Sequence, residues 1–214
     1  MEPTKFQVKV YTKDRDVELE KLVPIFHQWI RAKKISDELL IDVADYAHVP
    51  QGPGVVLIGH QSDYYLDMAD ERPGLLYSRK RGYEGDFQGG IDDAFRRALE
   101  ACRMLEAERD LGLEFGTTEL LFRVQDRLNA PNDDSTYEAY EPALKQTTRA
   151  FFRVSLSGCG SVPKPTERSK RHSPAPEHAA FFGEGRLRGT SIGEELMCRF
   201  ESRSSLGSPR ASLP

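Results

Sequence analysis

The residues of this chain with the strongest chemical potential are histidines and carboxylates gathered between positions 42 and 67. Asp42, Asp45 and His48 fall in one segment, and His60, Asp63 and Asp67 follow closely. Such side chains ligate divalent metals or exchange protons as general acids and bases. Geometry trims the set. If the segment turns around the Val49–Gly54 stretch, which carries Pro50, Gly52 and Pro53, His48 lies beside the turn and His60 at the far end of the hairpin. About six residues at ~3.3 Å each then hold the two histidines ~20 Å apart, too far to share an ion. In that hairpin His60 faces Asp42 or Val43. The surviving candidate cluster is His60 and Asp63 with Asp42 or Asp45, the choice depending on a strand register that the sequence leaves open. His60 and Asp63 are its candidate metal ligands. Zinc normally takes three protein ligands and a water, so the set is permissive. A strand-end histidine beside solvated carboxylates is the plainer reading of the same residues.

A second candidate is the basic, glycine-rich run Ser78–Gly90, which precedes a helical pattern. Backbone amides at a helix N-terminus can hold phosphate. Here Glu84, Asp86, Asp92 and Asp93 already supply negative charge, and neither a P-loop nor a dinucleotide fingerprint is present. The run therefore reads as a loop, and no cofactor is expected beyond the divalent metal that the His60 cluster could hold. No serine of residues 1–154 sits in a Gly-x-Ser-x-Gly elbow. His27 lies beside the apolar stripe of the first helix and has no visible partner.

The elements that must position these residues follow from apolar periodicity. Phe6, Val8 and Val10 alternate with Gln7 and Lys9, a half-buried strand. Leu19, Leu22, Val23, Phe26, Trp29 and Ile30 mark a helix that either kinks at Pro24 or starts with it in the first turn. Strands are expected at Leu39–Tyr46 and Gly54–Gly59, and a small hairpin at Tyr64–Met68 and Leu75–Ser78 that extends or flanks the sheet. Tyr64 and Tyr65 should divide between its two faces. Ile91, Phe95, Ala98, Leu99, Cys102 and Leu105 share a helical face, with Asp92 and Asp93 in its first turn. A strand at Glu119–Gln125 and a helix opened by a Ser135–Glu138 capping box complete the order. The result is an α+β fold: a ferredoxin-like βαββαβ sandwich with an inserted hairpin and an added C-terminal helix. An open α/β sheet is weaker, because the turn between the second and third strands is too short for a parallel crossover.

Near Val154 the composition changes. Serine occurs 4 times in residues 1–154 and 11 times in residues 155–214, and Asp is absent from the latter. The expected organisation is one globular domain at 1–154 and a Ser/Pro/Arg-rich, disordered tail at 155–214. Met197–Phe200 is a short apolar island within it. Residues 1–154 carry 21 Lys and Arg against 28 Asp and Glu, an acidic balance that argues against nucleic acid as a partner. Three cysteines without metal-ligand spacing, no signal peptide and no membrane-length apolar run point to a reduced, cytoplasmic protein with no membrane partner.

Three stretches, Phe6–Thr12, Leu40–Tyr46 and Arg72–Tyr77, make residues 5–150 resemble a bacterial protein family of unknown function. The resemblance implies a compact cytoplasmic domain and brings no catalytic residues with it. Two functions stay open: a small module binding a ligand, a protein partner or a second copy as a homodimer, or a metal-dependent hydrolase at His60 and its neighbouring carboxylates.

Overall fold

The computed structural model describes residues 2–131, 133–152, 160–161 and 195–199. Strand β1 (Phe6–Thr12) buries Phe6, Val8 and Val10 on one face, as their alternation requires. A 3-10 turn at Leu19–Lys21 leads into α1 (Leu22–Ala32), which buries Leu22, Phe26 and Trp29. Pro24 is its third residue, in the first turn, where backbone N–H groups have no intrahelical acceptor and proline costs no hydrogen bond. The chain continues through β2 (Leu40–Tyr46), β3 (Gly54–Gly59), β4 (Ser62–Asp67) and β5 (Gly74–Arg79) to α2 (Phe87–Glu106), β6 (Phe115–Val124) and α3 (Asp134–Phe152). Gly54 shows why the β2–β3 turn needs glycine: its φ is +61°, and a Cβ there would lie 2.0 Å from the Leu66 carbonyl oxygen.

These strands form one antiparallel sheet in the order β2-β3-β4-β5-β1-β6, extended past β6 by β8 (Glu195–Arg199) and β7 (Gly160–Ser161). The α+β class holds. The small hairpin is integral to the sheet rather than peripheral: β5 is the direct neighbour of β1, and β3 lies two strands further out. Because β5 and β6 both run antiparallel to β1, they are parallel to each other with β1 between them, and α2 connects them. The apolar island at 197–200 falls partly in β8, which pairs with β6. Apart from β7 and β8, the expected disordered tail lies outside the described residues.

Helices α1 and α2 share a single apolar cluster with the inward residues of β1, β3, β4, β5 and β6. Burying such side chains contributes roughly 1.5–3 kcal/mol each before entropy is counted. Helix α3 packs on α2 through Leu144, through Tyr140 against Phe87 at 4.2 Å, and through Thr147, which donates to Asp92. Its N-terminus differs from the expected capping box. Asp133, not Ser135, accepts the Thr136 amide at 2.8 Å, because carboxylate and hydroxyl caps compete and Asp133 stands where the chain enters the helix.

Helix α2 also begins earlier than its apolar pattern indicated. Asp86 is the cap, accepting from the Gly89 amide at 2.8 Å, so Asp93 sits a turn and a half into the helix and does not serve the dipole. That shift makes it available for another role.

Candidate functional site

At the end of β5 the inward positions read Leu75, Tyr77, Arg79: two core residues and then a charge. The β4–β5 register sets Ser62 opposite Arg79 and Tyr64 opposite Tyr77, so all four share the helix-facing side. Helix α2 presents Asp93 and Arg97, one turn apart, to the same place. Arg79 donates from Nη2 to Asp93 Oδ2 at 2.6 Å, Arg97 from Nε to the same oxygen at 2.9 Å and to Oδ1 at 3.2 Å, and Arg96 from Nη2 to Oδ1 at 2.7 Å. Arg79 is 5% exposed and Arg97 7%. Burial works to raise the Asp93 carboxyl, but hydrogen bonds and charge from Arg96, Arg97 and Arg79 outweigh it and hold the group below its ordinary value.

The arginines are not satisfied by this arrangement. Arg79 Nε and Arg97 Nη1 are buried and find no close acceptor, and the hydroxyls of Tyr64 and Tyr77 make no close hydrogen bond, although Arg97 and Ser62 stand near the first and Ser62 near the second. The two tyrosine rings meet edge to face at 5.3 Å, and burial pushes both hydroxyls above their ordinary value. Buried donors left unpaired cost about 1–3 kcal/mol each, so native structures seldom carry several in one place.

Arg79 and Arg97 line an open cavity of about 470 Å3. Arg79, Asp93 and Arg97 form one wall, His60 and Gln61 another, and the loop Arg81–Glu84 the rim. The walls are fixed locally. Gln61 N and the Ser62 hydroxyl donate to the two carboxylate oxygens of buried Glu38, and Arg81 Nε donates to the His60 carbonyl at 3.0 Å. Tyr83 rests against Gly85 and Gly89, where an added Cβ would come within 2.5 and 3.3 Å of its ring, while the Arg79 guanidinium lies 5.2 Å from its centroid.

The glycine-rich run dismissed as a loop therefore supplies much of the cavity, though not by phosphate-cradling amides. The α2 N-terminus is occupied by its own carboxylates: Asp86 takes Gly89 N, and Glu2 Oε2 takes Phe87 N at 3.1 Å. The guanidinium groups of Arg79 and Arg97 line it instead.

The residues singled out from the sequence divide. His60 lines the cavity but is exposed, and its amide donates to Leu39 O at 2.8 Å, so it faces the start of β2 and not Asp42 or Val43. An irregularity between Leu40 and Asp42 shifts the register: Asp42 pairs with Ile58 and Asp45 with Val55. Asp63 also pairs with Ile58, which sets Asp42 and Asp63 on one sheet face with a strand between them, whereas Asp45 lies on the other face. Asp63 is engaged by Lys80 Nζ at 2.7 Å and by Gly59 N and the Tyr65 hydroxyl at 3.3 Å. Asp42 and Asp45 accept from the nearby amides of Val43 and Ala47. Among the described residues no three His, Cys, Asp or Glu side chains are grouped to hold a metal ion. His48 sits at the opposite end of the hairpin, as the spacing argument requires. Cys102 is a buried thiol whose ionisation burial suppresses.

Sequence reasoning missed Arg79, Arg97 and Asp93 as a unit. A signal existed in each element: a charge at an inward strand position after Leu75 and Tyr77, and an Asp–Arg pair on the helical face that holds Ala94, Ala98 and Ala101. Among the described residues no helix is long and apolar enough to cross a membrane. No protein-family model, curated protein or solved structure matches the chain, so the site stands on its own geometry.

Proposed function

We propose that the protein is a cytoplasmic small-molecule-binding module whose ligand occupies the cavity beside Arg79 and Arg97. The observation that carries this is the pair of buried arginines, Arg79 and Arg97, each with an N–H group short of an acceptor, in the wall of an open cavity large enough for an organic molecule. Binding fits better than hydrolysis. The Asp93 carboxylate already accepts four N–H contacts from Arg79, Arg96 and Arg97, which leaves no free lone pair for moving a proton. A metal-dependent reaction at His60, Asp63, Asp42 and Asp45 gains no comparable support, because their donors are separated or engaged. The topology suits an elaborated ferredoxin-like sandwich, with α2 joining the strands on either side of β1 and two extra strands widening the β2 side. Screening a pool of small metabolites by thermal shift tests the reading. Stabilisation of the wild type that is lost in Gln61→Trp, which fills the cavity from an exposed wall position, is the expected outcome; a wild type that no compound stabilises would sink it.

A protein partner at the sheet edge is the second reading. Strand β2 ends the sheet, and Leu39 and Ile41 stand 68% and 55% exposed beside it. Light scattering of wild type and Ile41→Lys decides whether that edge drives self-association.

A further inference from the structure

We infer that the ligand of this cavity is a small organic molecule carrying one oxyanionic head group, a phosphate monoester or a carboxylate, received by Arg79 and Arg97. The inference rests on the small-molecule reading above and adds the chemical class. Three guanidinium groups, from Arg79, Arg96 and Arg97, converge on the single carboxylate of Asp93. Arg96 also meets Glu100 at 3.4 Å, and exposed Asp37 lies 3.3 and 3.6 Å from Arg96 and Arg97. Arg81 adds positive charge at the rim. Among the residues that line the cavity, three cations, Arg79, Arg81 and Arg97, face two carboxylates, Asp93 and Glu84, and Arg79 Nε and Arg97 Nη1 lack a close acceptor. An oxyanion supplies what is missing, since charge-assisted hydrogen bonds to guanidinium are the strong ones and its planar fork matches both phosphate and carboxylate.

The geometry limits the rest of the molecule. A cavity of about 470 Å3 is larger than an inorganic ion needs, so the head group is part of a larger compound reaching toward His60, Gln61 and Tyr83. Glu84 stands on the rim, where a second anionic group would be repelled. The remainder of the ligand is thus neutral or positive and offers hydrogen-bond donors, as hydroxyls or an amine do.

Asp93 acts as a positioning residue. It holds Arg79 through Nη2 and Arg97 through Nε and so fixes both guanidinium groups in the cavity wall.

The test is calorimetric titration of the full chain with glycerol 3-phosphate, D-glycerate, inorganic phosphate and uncharged glycerol at fixed ionic strength. Saturable binding of glycerol 3-phosphate or D-glycerate, with glycerol silent, is expected, and which of the two binds more tightly distinguishes phosphate from carboxylate. Arg79→Gln should weaken binding roughly ten- to a hundred-fold, as loss of a hydrogen bond to a charged group does. Should that variant fold poorly, Arg81→Gln, at an exposed position, should weaken binding by a smaller factor and flatten its salt dependence. Equal binding by glycerol and glycerol 3-phosphate, or binding indifferent to both substitutions, overturns the oxyanion while leaving a small-molecule cavity. If no anion binds up to about 10 mM while the metabolite screen finds a neutral ligand lost in Gln61→Trp, the oxyanion alone fails; silence in both experiments removes both readings.

Discussion

Two buried charge clusters lie on opposite faces of the same sheet, and they are built differently. On the face away from the helices, Lys9, 3% exposed, donates to Asp67 at 2.5 Å and to the Ala69 carbonyl, and lies 5.5 Å from the Tyr11 ring. One cation meets one carboxylate, and the lysine side chain has no orphaned atom. On the helix-facing side, three arginines share Asp93, and Arg79 and Arg97 each keep a buried N–H group without an acceptor. The first cluster is closed and the second open. Burial of charge alone therefore does not tell the two clusters apart; the unmatched donor does.

The sharpest way to break this comparison is to open the closed cluster. Lys9→Met should cost about 3–5 kcal/mol, because it strands a buried carboxylate at Asp67, whereas the double substitution Lys9→Met with Asp67→Leu should recover most of that loss. Urea denaturation reads both; a single variant as stable as wild type would mean that the pair is more hydrated than its burial indicates.

Asp93→Asn tests the open cluster and should cost about 2 kcal/mol by leaving the arginines to repel one another. Millimolar phosphate should recover part of the loss in this variant and should leave Lys9→Met unchanged. The pH dependence carries a sign. Because the folded pKa of Asp93 is lowered, its contribution is fully present above the ordinary carboxylate value and is lost as pH falls through the lowered one. The stability of Asp93→Asn should therefore fall less steeply on acidification than that of wild type.

Tyr65 sharpens the picture of the closed face. Burial, followed by the charge and hydrogen bond of Asp63, pushes its hydroxyl up to about 12. Ultraviolet titration should lose one transition near that pH in Tyr65→Phe, and in Asp63→Asn the same transition should move down. The smallest effect on stability belongs to Arg81→Gln, whose urea midpoint should match wild type; a marked loss would turn the rim arginine into a structural residue.

Much of the scaffold was legible because its signals are local. The alternation at Phe6, Val8 and Val10 and the stripe from Ile91 to Leu105 each name an element without reference to the rest of the chain. The β2–β3 register was not legible, since the irregularity between Leu40 and Asp42 moves every later pairing and leaves no mark in residue type. The candidate site was legible only in part: His60 does line the cavity, but its proposed companions depended on that register. Arg79 and Arg97 lie on different elements, and only tertiary packing brings their guanidinium groups to one carboxylate.

The position of β1 has a consequence for how the molecule is made. Strand β1 leaves the ribosome before both of its partners and lies between β5 and β6, pairing Gln7 with Ser78 on one side and Phe6 with Val124 on the other. Its partners are synthesised some 70 and 115 residues later, whereas β2, β3, β4 and β5 form a meander of short-range pairings. The meander can assemble while β1 waits with Phe6, Val8 and Val10 uncovered. Closure of the sheet around β1 is then the late, slow event in folding, and shortening the β1 strand should retard refolding far more than trimming β2.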